Sequence, residues 1–275
     1  MASKLLFVIG RKMNRALISL SFDDGRADSY IYGYPILKQY NLPATFNITT
    51  GFINREISDF VHKNVVPMTK EMILDLYRDP CIEIAGHGNY HQNTKEDLIG
   101  GIDSLCSILD VEMLDPRGNG LASPYSGMSV DSYHSMEKEL QSNHVRYIRL
   151  SYRIISHFIM KTIARKISRI LKLPIFFSYA YRDTLMQSLD GIFLYSIPIL
   201  SSTSINQIKA LIDKAVKSQS ACILMFHSII VEKNARDNWD YEKVKFENIC
   251  QLLVEYRNQN KIEIVTSIDL YNRLK

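Results

Sequence analysis

Apolar runs of strand length alternate with helical stretches along almost the whole chain, and this alternation restricts the fold more than any other feature. The first run, Ala16–Phe22, ends at Asp23-Asp24-Gly25. Further strands are expected at Ala44–Thr49, Ile82–Ala85, Gly120–Ser123, Val145–Leu150, Ile192–Ile199, Ala221–Phe226 and Ile262–Thr266. Helices are expected between them, over Ser29–Tyr40, Thr69–Tyr77, Thr94–Leu109, Val130–Ser142, Ile155–Leu173, Ser204–Ser218 and Glu242–Asn258, with a last one from Asp269. Such an order predicts a parallel sheet, either closed into a barrel or doubly wound. No Pro-, Gly- or Ser-rich linker and no repeat interrupts it, so a single domain over residues 1–275 is expected.

Composition excludes several classes. At 46 % hydrophobic and 23 % charged, the chain is ordinary for a globular protein. No apolar run approaches the roughly 18–20 residues that span a bilayer. The N-terminal run Leu5–Ile9 is shorter than the about 7–15 residues of a secretory signal core. Cys81, Cys106, Cys222 and Cys250 are dispersed, with no CxxC pair. These features lead to the expectation of a cytoplasmic chain with reduced thiols.

In parallel α/β folds chemistry gathers where strands end. Asp23 and Asp24 follow the first strand, His87 and His91 the third, Pro124 and Tyr125 the fourth, and His227 the strand Ala221–Phe226. Four residues apart, His87 and His91 would share one face of a helical turn and suit a single divalent ion. Adjacent carboxylates repel each other unless a cation lies close, which favours one Asp on a metal and the other free as a base. Asp-Asp-Gly is also an ordinary turn and helix cap. His227 has two readings, a core histidine or a proton donor.

These residues, in this order, resemble the polysaccharide deacetylase family (carbohydrate esterase family 4, the NodB-homology domain). Ser21-Phe22-Asp23-Asp24-Gly25, His87-Gly88-Asn89-Tyr90-His91, Ala122-Ser123-Pro124-Tyr125-Ser126 and Leu224-Met225-Phe226-His227 match four of its motifs, and the similarity runs from Ala16 to the C-terminus. The resemblance implies a distorted, incomplete (β/α) barrel. It implies that Asp24, His87 and His91 hold one divalent transition ion, zinc above all. Asp23 would be the base that activates the attacking water, the backbone N–H of Tyr125 an oxyanion donor, and His227 the acid for the departing amine. Pro124 and Leu224 would contact the substrate. Four departures stand out: Gly88 replaces a Ser or Thr, Ala122 an Arg, Ser126 a Gly, and the fourth motif, with its Asp, is not found. Arg117 or Arg149 is a candidate for the missing Arg, and Asp183 for the missing Asp.

The charge is local. Nine Lys/Arg and no Asp or Glu lie between Glu139 and Asp183, while the remainder is net acidic. Within this segment Ile155–Leu173 is an amphipathic basic helix, which would ordinarily turn its apolar face to the sheet and its charges to water. The sharper reading is peripheral contact of residues 145–182 with an anionic membrane, or with the phosphate of a linked sugar. A net-acidic remainder argues against nucleic acid.

The expected function is a metal-dependent deacetylase acting on an N-acylated amino sugar, a nucleotide- or lipid-linked precursor or glycan of surface polysaccharide. The alternatives are a deformylase or cyclic-amide hydrolase on the same fold, or a carbohydrate-binding protein with a decayed site.

Overall fold

The computed structural model describes residues 14–56, 65–231 and 237–275. The run Leu5–Ile9 lies outside the described residues. Seven parallel strands form a ring: β1 (Ala16–Phe22), β2 (Ala44–Ile48), β3 (Ile82–Gly86), β4 (Asn119–Ala122), β5 (Val145–Leu150), β6 (Phe193–Pro198) and β7 (Ala221–Phe226), with β1 pairing β7 to close it. After β7 a two-stranded ribbon joins β8 (Ser228–Ile230) to β9 (Asp240–Glu242), and β10 (Ile262–Ile264) returns to the sheet.

β1 shares one edge between two partners. Ala16–Ile18 pair with β10, whereas Ser21 and Phe22 pair with β2. The ring is therefore parted at its base between β1 and β2, and β10 fills the gap. This is the distorted (β/α) barrel that the motifs imply.

Helices cover the ring: α1 (Tyr34–Tyr40), α2 (Thr50–Ile53), α3 (Lys70–Arg78), α4 (Lys95–Leu109), α5 (Val130–Ser142), α6 (Phe158–Leu171), α7 (Pro174–Ala180), α8 (Ile205–Ser218), α9 (Lys243–Asn258) and α10 (Ser267–Leu274). Their starts follow cap chemistry. Thr69, Thr94, Ser129, Ser204 and Thr266 each accept a hydrogen bond from the amide three residues on, a device worth about 1 kcal/mol per helix. α6 ends before Pro174, which opens α7 at its first turn, where its missing N–H costs nothing.

Strand alternation sorts side chains into two layers. On β1 and β7 the even positions Ile18, Leu20, Phe22, Leu224 and Phe226 pack outward under the helices, where Phe22 stacks on Phe46 and Phe226. The odd positions Leu17 and Ile223 belong to the smaller cluster with Tyr147, Leu194 and Ile268. Higher on β1, Ser19, Ser21 and Asp23 continue the odd positions and are buried.

α6 overturns the ordinary expectation for an amphipathic helix. Its buried residues are Lys161, Ala164 and Ser168, while Ile159, Ile163 and Ile170 face solvent. The inward lysine is held by an ion pair with Asp183 and a 3.1 Å bond to Ser156 Oγ. Gln207 of α8 donates to the Ser168 carbonyl at 2.7 Å. Polar contacts, rather than the isoleucines, seat this helix. Among the described residues no helix is long and apolar enough to cross a membrane.

Candidate metal centre

β1 and β3 end side by side at the top of the ring, separated only by β2, and their last residues deliver the site. Asp24 follows β1 in a left-handed conformation (φ 76°), a backbone turn that Gly25 (φ 81°) continues. This aims its carboxylate at the loop after β3. There His87 Nε2 and His91 Nε2 stand 3.1 Å apart, and Asp24 Oδ1 lies 3.5 Å and 3.7 Å from them. All three residues are buried.

The histidines converge by a route other than the expected helical turn. Residues 87–93 form an irregular loop in which Gly88 (φ 75°) and His91 (φ 57°) are left-handed. Asp97 on α4 braces it, accepting from the amides of Tyr90 at 2.5 Å and Gln92 at 2.7 Å. Gly88 is required beside it, since a Cβ there would stand 2.3 Å from Asp97 Oδ2.

The donor set fits one divalent ion. His87 Nδ1 lies 2.9 Å from the Ala122 carbonyl, which fixes the proton on Nδ1 and leaves the Nε2 lone pair for a metal. Two nitrogens bonded at about 2.0–2.1 Å to one tetrahedral ion stand about 3.3 Å apart, close to the spacing found. His91 is pushed down to about 3 by burial and by the charge of His87, so its ring is neutral at ordinary pH. Asp24 keeps its other oxygen on Arg26 Nε at 2.9 Å, and Arg26 is itself anchored on Ser228 Oγ. Burial raises the Asp24 carboxyl, but His227, His87 and Arg26 outweigh it and hold it well below the usual range.

Asp23 has separate partners. Arg149 Nη2 donates to Oδ1 and Oδ2 at 2.7 and 2.6 Å, and Asn47 Nδ2 donates to Oδ1 at 2.8 Å. Burial pushes its carboxyl up, yet the Arg149 guanidinium, aided by His87 and His227, leaves it below the usual range. His227 is half-buried against the Trp239 ring, 4.2 Å between centroids. Burial lowers its basicity more than Asp24 and Asp23 restore it.

These groups line a cavity of about 600 Å³ whose walls also include Tyr125, Tyr152, Phe158, Arg165, Met225 and Trp239. Tyr125 is left-handed (φ 51°) and exposed, with its ring 4.3 Å from that of His91. Pro124 and Leu224, expected to contact substrate, are buried and do not line this cavity. Leu224 sits at an even position of β7 and faces the helices, and its neighbour Met225 reaches the cavity instead.

A family model described as polysaccharide deacetylase matches residues 10–147, which carry Asp23, Asp24, His87, His91 and Tyr125. The chain belongs to the polysaccharide deacetylase family. A Mycobacterium smegmatis protein assigned as a polysaccharide deacetylase superposes with a TM-score of 0.59 at 12 % identity, covering 96 % of this chain and 91 % of that one. A peptidoglycan N-acetylglucosamine deacetylase domain from Eubacterium rectale gives 0.44 at 14 % identity, over 94 % and 90 % of the two chains. A de-N-acetylase from Aggregatibacter actinomycetemcomitans gives 0.40 at 18 % identity; 50 % of this chain matches, spanning 64 % of that protein's length. Comparison with curated proteins finds no match.

As a member of the polysaccharide deacetylase family, the chain departs from the family motifs at several positions. Ala122 stands where the motif has an Arg, and its register partner across the β4–β5 pair is Arg149. The guanidinium beside Asp23 thus comes from the neighbouring strand, into space that a small residue at 122 leaves open. Arg117, the other candidate, is paired with Asp115 and Asp269 instead. Ser126, in place of Gly, is left-handed (φ 53°), and its Oγ accepts from the Ser151 amide at 2.8 Å. Asp183 bonds Lys161 and the amides of Ile155 and Ser156 rather than His227. Among the described residues His227 Nδ1 has no hydrogen-bond partner.

Sequence reasoning passed over Arg26 and Asn47, and included Arg165 only as one of the basic residues of 145–182. Asn47 had a signal, a lone amide in the apolar strand Ala44–Ile48. Trp239 also lines the cavity, and residues 232–236 of the segment before it lie outside the described residues.

Proposed function

We propose that the chain is a metal-dependent N-deacetylase acting on an amino sugar, a nucleotide- or lipid-linked precursor or glycan of surface polysaccharide. The observation that carries this reading is the pairing of Asp24, His87 and His91 with a second carboxylate, Asp23, that has its own guanidinium. A binding module needs no such base beside its ligand set.

Asp24, His87 and His91 would hold one divalent transition ion, with zinc the leading candidate. Such an ion supplies Lewis acidity, lowering the pKa of water towards ~7 and polarising an acyl oxygen. Asp23 takes the proton of the attacking water, and Arg149 and Asn47 keep its carboxylate turned to the cavity. The backbone N–H of Tyr125 donates to the oxygen where negative charge develops. His227 passes a proton to the departing amine, its ring held against Trp239. This reading goes with a cytoplasmic chain that meets an anionic membrane through residues 145–182.

Metal content by plasma mass spectrometry is the test, on the wild type and on Asp24→Ala and His87→Ala variants. We expect about one transition ion per chain, lost in both variants. Wild-type protein that stays metal-free after soaking with zinc, cobalt or nickel would remove this mechanism and leave the carbohydrate-binding reading. Screening N-acylated sugars for acetate against formate then separates deacetylation from deformylation.

A further inference from the structure

α6 presents the wrong side to water for a helix of a freely soluble barrel. Ile159, Ile163 and Ile170 expose 72, 45 and 77 % of their surface. Their spacing of four and seven residues places them in one stripe. Ile155 before the helix and Ile175 on α7 are each 72 % exposed as well. Contiguous exposed aliphatic surface of this kind marks a docking face.

Charge decides what docks there. Lys166, Arg169 and Lys172 are exposed beside the isoleucines. No carboxylate side chain occurs in the sequence from 140 to 182. An aliphatic stripe flanked along its helix by cations, with Asp183 at its N-terminal end paired to Lys161, complements an anionic bilayer, whose acyl boundary takes the isoleucines while its phosphates meet the lysines and arginines. A second copy of this chain would bring like charges face to face.

The next flank of the same helix opens on the site. Phe158, Thr162 and Arg165 line the cavity that holds Asp23 and the histidines. The Arg165 guanidinium lies 4.4 Å from the Tyr152 ring, and its Nη1 is buried with no hydrogen-bond partner among the described residues. A cavity-wall guanidinium with an unpartnered donor is suited to a phosphate.

We propose that the outward face of α6 seats on an anionic lipid bilayer, with the cavity mouth beside it, and that Arg165 receives the phosphate of a lipid-borne sugar. The sugar rests on the deacetylase reading above; the docking rests on α6 alone.

The test is co-sedimentation of the full chain with phosphatidylcholine vesicles containing about 30 % phosphatidylglycerol, against phosphatidylcholine alone. The anionic vesicles should carry the chain down at low salt. About 0.5 M salt, or Lys166→Gln with Lys172→Gln, should weaken partitioning roughly tenfold. Ile159→Ser with Ile170→Ser should do the same with an unchanged melting temperature. A chain that stays in the supernatant, or binds both vesicle types equally at every salt, overturns the proposal. So does a dimer that the isoleucine variant dissociates. For the phosphate, N-acetylglucosamine 1-phosphate should bind about tenfold tighter than N-acetylglucosamine, and Arg165→Gln should erase the difference; equal binding by the wild type overturns the role of Arg165. Asp24→Ala protein, expected to be metal-free, should sediment with anionic vesicles like the wild type. That separates failure of docking from failure of the hydrolase reading.

Discussion

At the scale of single residues, the site solves the problem of burying two adjacent carboxylates. Each has its own cation, Arg149 for Asp23 and Arg26 for Asp24. Removing one partner of such a buried pair is costly because it leaves the other charge uncompensated. Arg149→Met should therefore lower turnover about a hundredfold or more while metal content stays at the wild-type level. Its second signature is in the pH profile. Without the guanidinium, burial raises the Asp23 carboxyl, so the acid limb of kcat/KM moves to higher pH, and Arg149→Lys restores part of it. An unmoved acid limb would mean that Asp23 is not the base. The aspartates and histidines were legible from residue type and position alone. Arg149 was only one of two candidates, since its relation to Ala122 is a matter of strand register. The Gly88–Asp97 relation was hidden for the same reason: the two residues meet only when the loop closes over the start of α4.

At the scale of elements, β3 carries two buried ionisable positions with different tasks. His87 follows its upper end and Glu83 lies near its base. Glu83 accepts from Tyr147 Oη at 2.8 Å, Thr45 Oγ1 at 2.8 Å and the Ile268 amide at 3.0 Å, tying β2, β5 and α10 together. Burial pushes its carboxyl up from 4.5 to about 7 despite these bonds. Between those values the folded chain keeps a proton that the unfolded chain has released. The stability this group contributes is complete below pH 4.5 and is lost as pH rises through 7. Glu83→Gln cannot ionise, so its melting temperature relative to wild type should climb between pH 5 and pH 8, a change that scanning calorimetry follows directly. A relative fall would show that the ionised carboxylate is the favoured form. The amphipathic pattern of α6 was visible in the sequence, but its direction was not. Hydrophobic spacing identifies a face without saying whether the protein or something outside it covers that face.

At the scale of the whole molecule, stability and the proposed docking rest on different parts of the fold. Phe22 stacks between Phe46 and Phe226 and meets Phe246 edge-on, so it joins β1, β2, β7 and α9 in one aromatic cluster. Phe22→Ala should cost about 3–5 kcal/mol in urea unfolding. Ile159→Ser, an aliphatic change of similar kind in sequence terms, should stay within about 0.5 kcal/mol because its side chain is already in water. Comparable losses from both would place Ile159 in the core and remove the docking face.

The alternation of strands and helices sufficed for a parallel sheet, and the polar strand ends with the motifs Asp23-Asp24-Gly25 and His87–His91 sufficed for the family resemblance, which implies the barrel, and for the candidate metal ligands. These are local properties, carried by residue type, period and spacing, and they survive without knowledge of neighbours. Tertiary structure decided the rest. It closed the ring with seven strands and placed β10 in the gap beside β1. It brought Arg149 to Asp23, turned Leu224 away from the cavity and set the isoleucines of α6 facing out. Each of these depends on which segments lie side by side, and strand register and helix rotation are fixed only when distant parts of the chain pack.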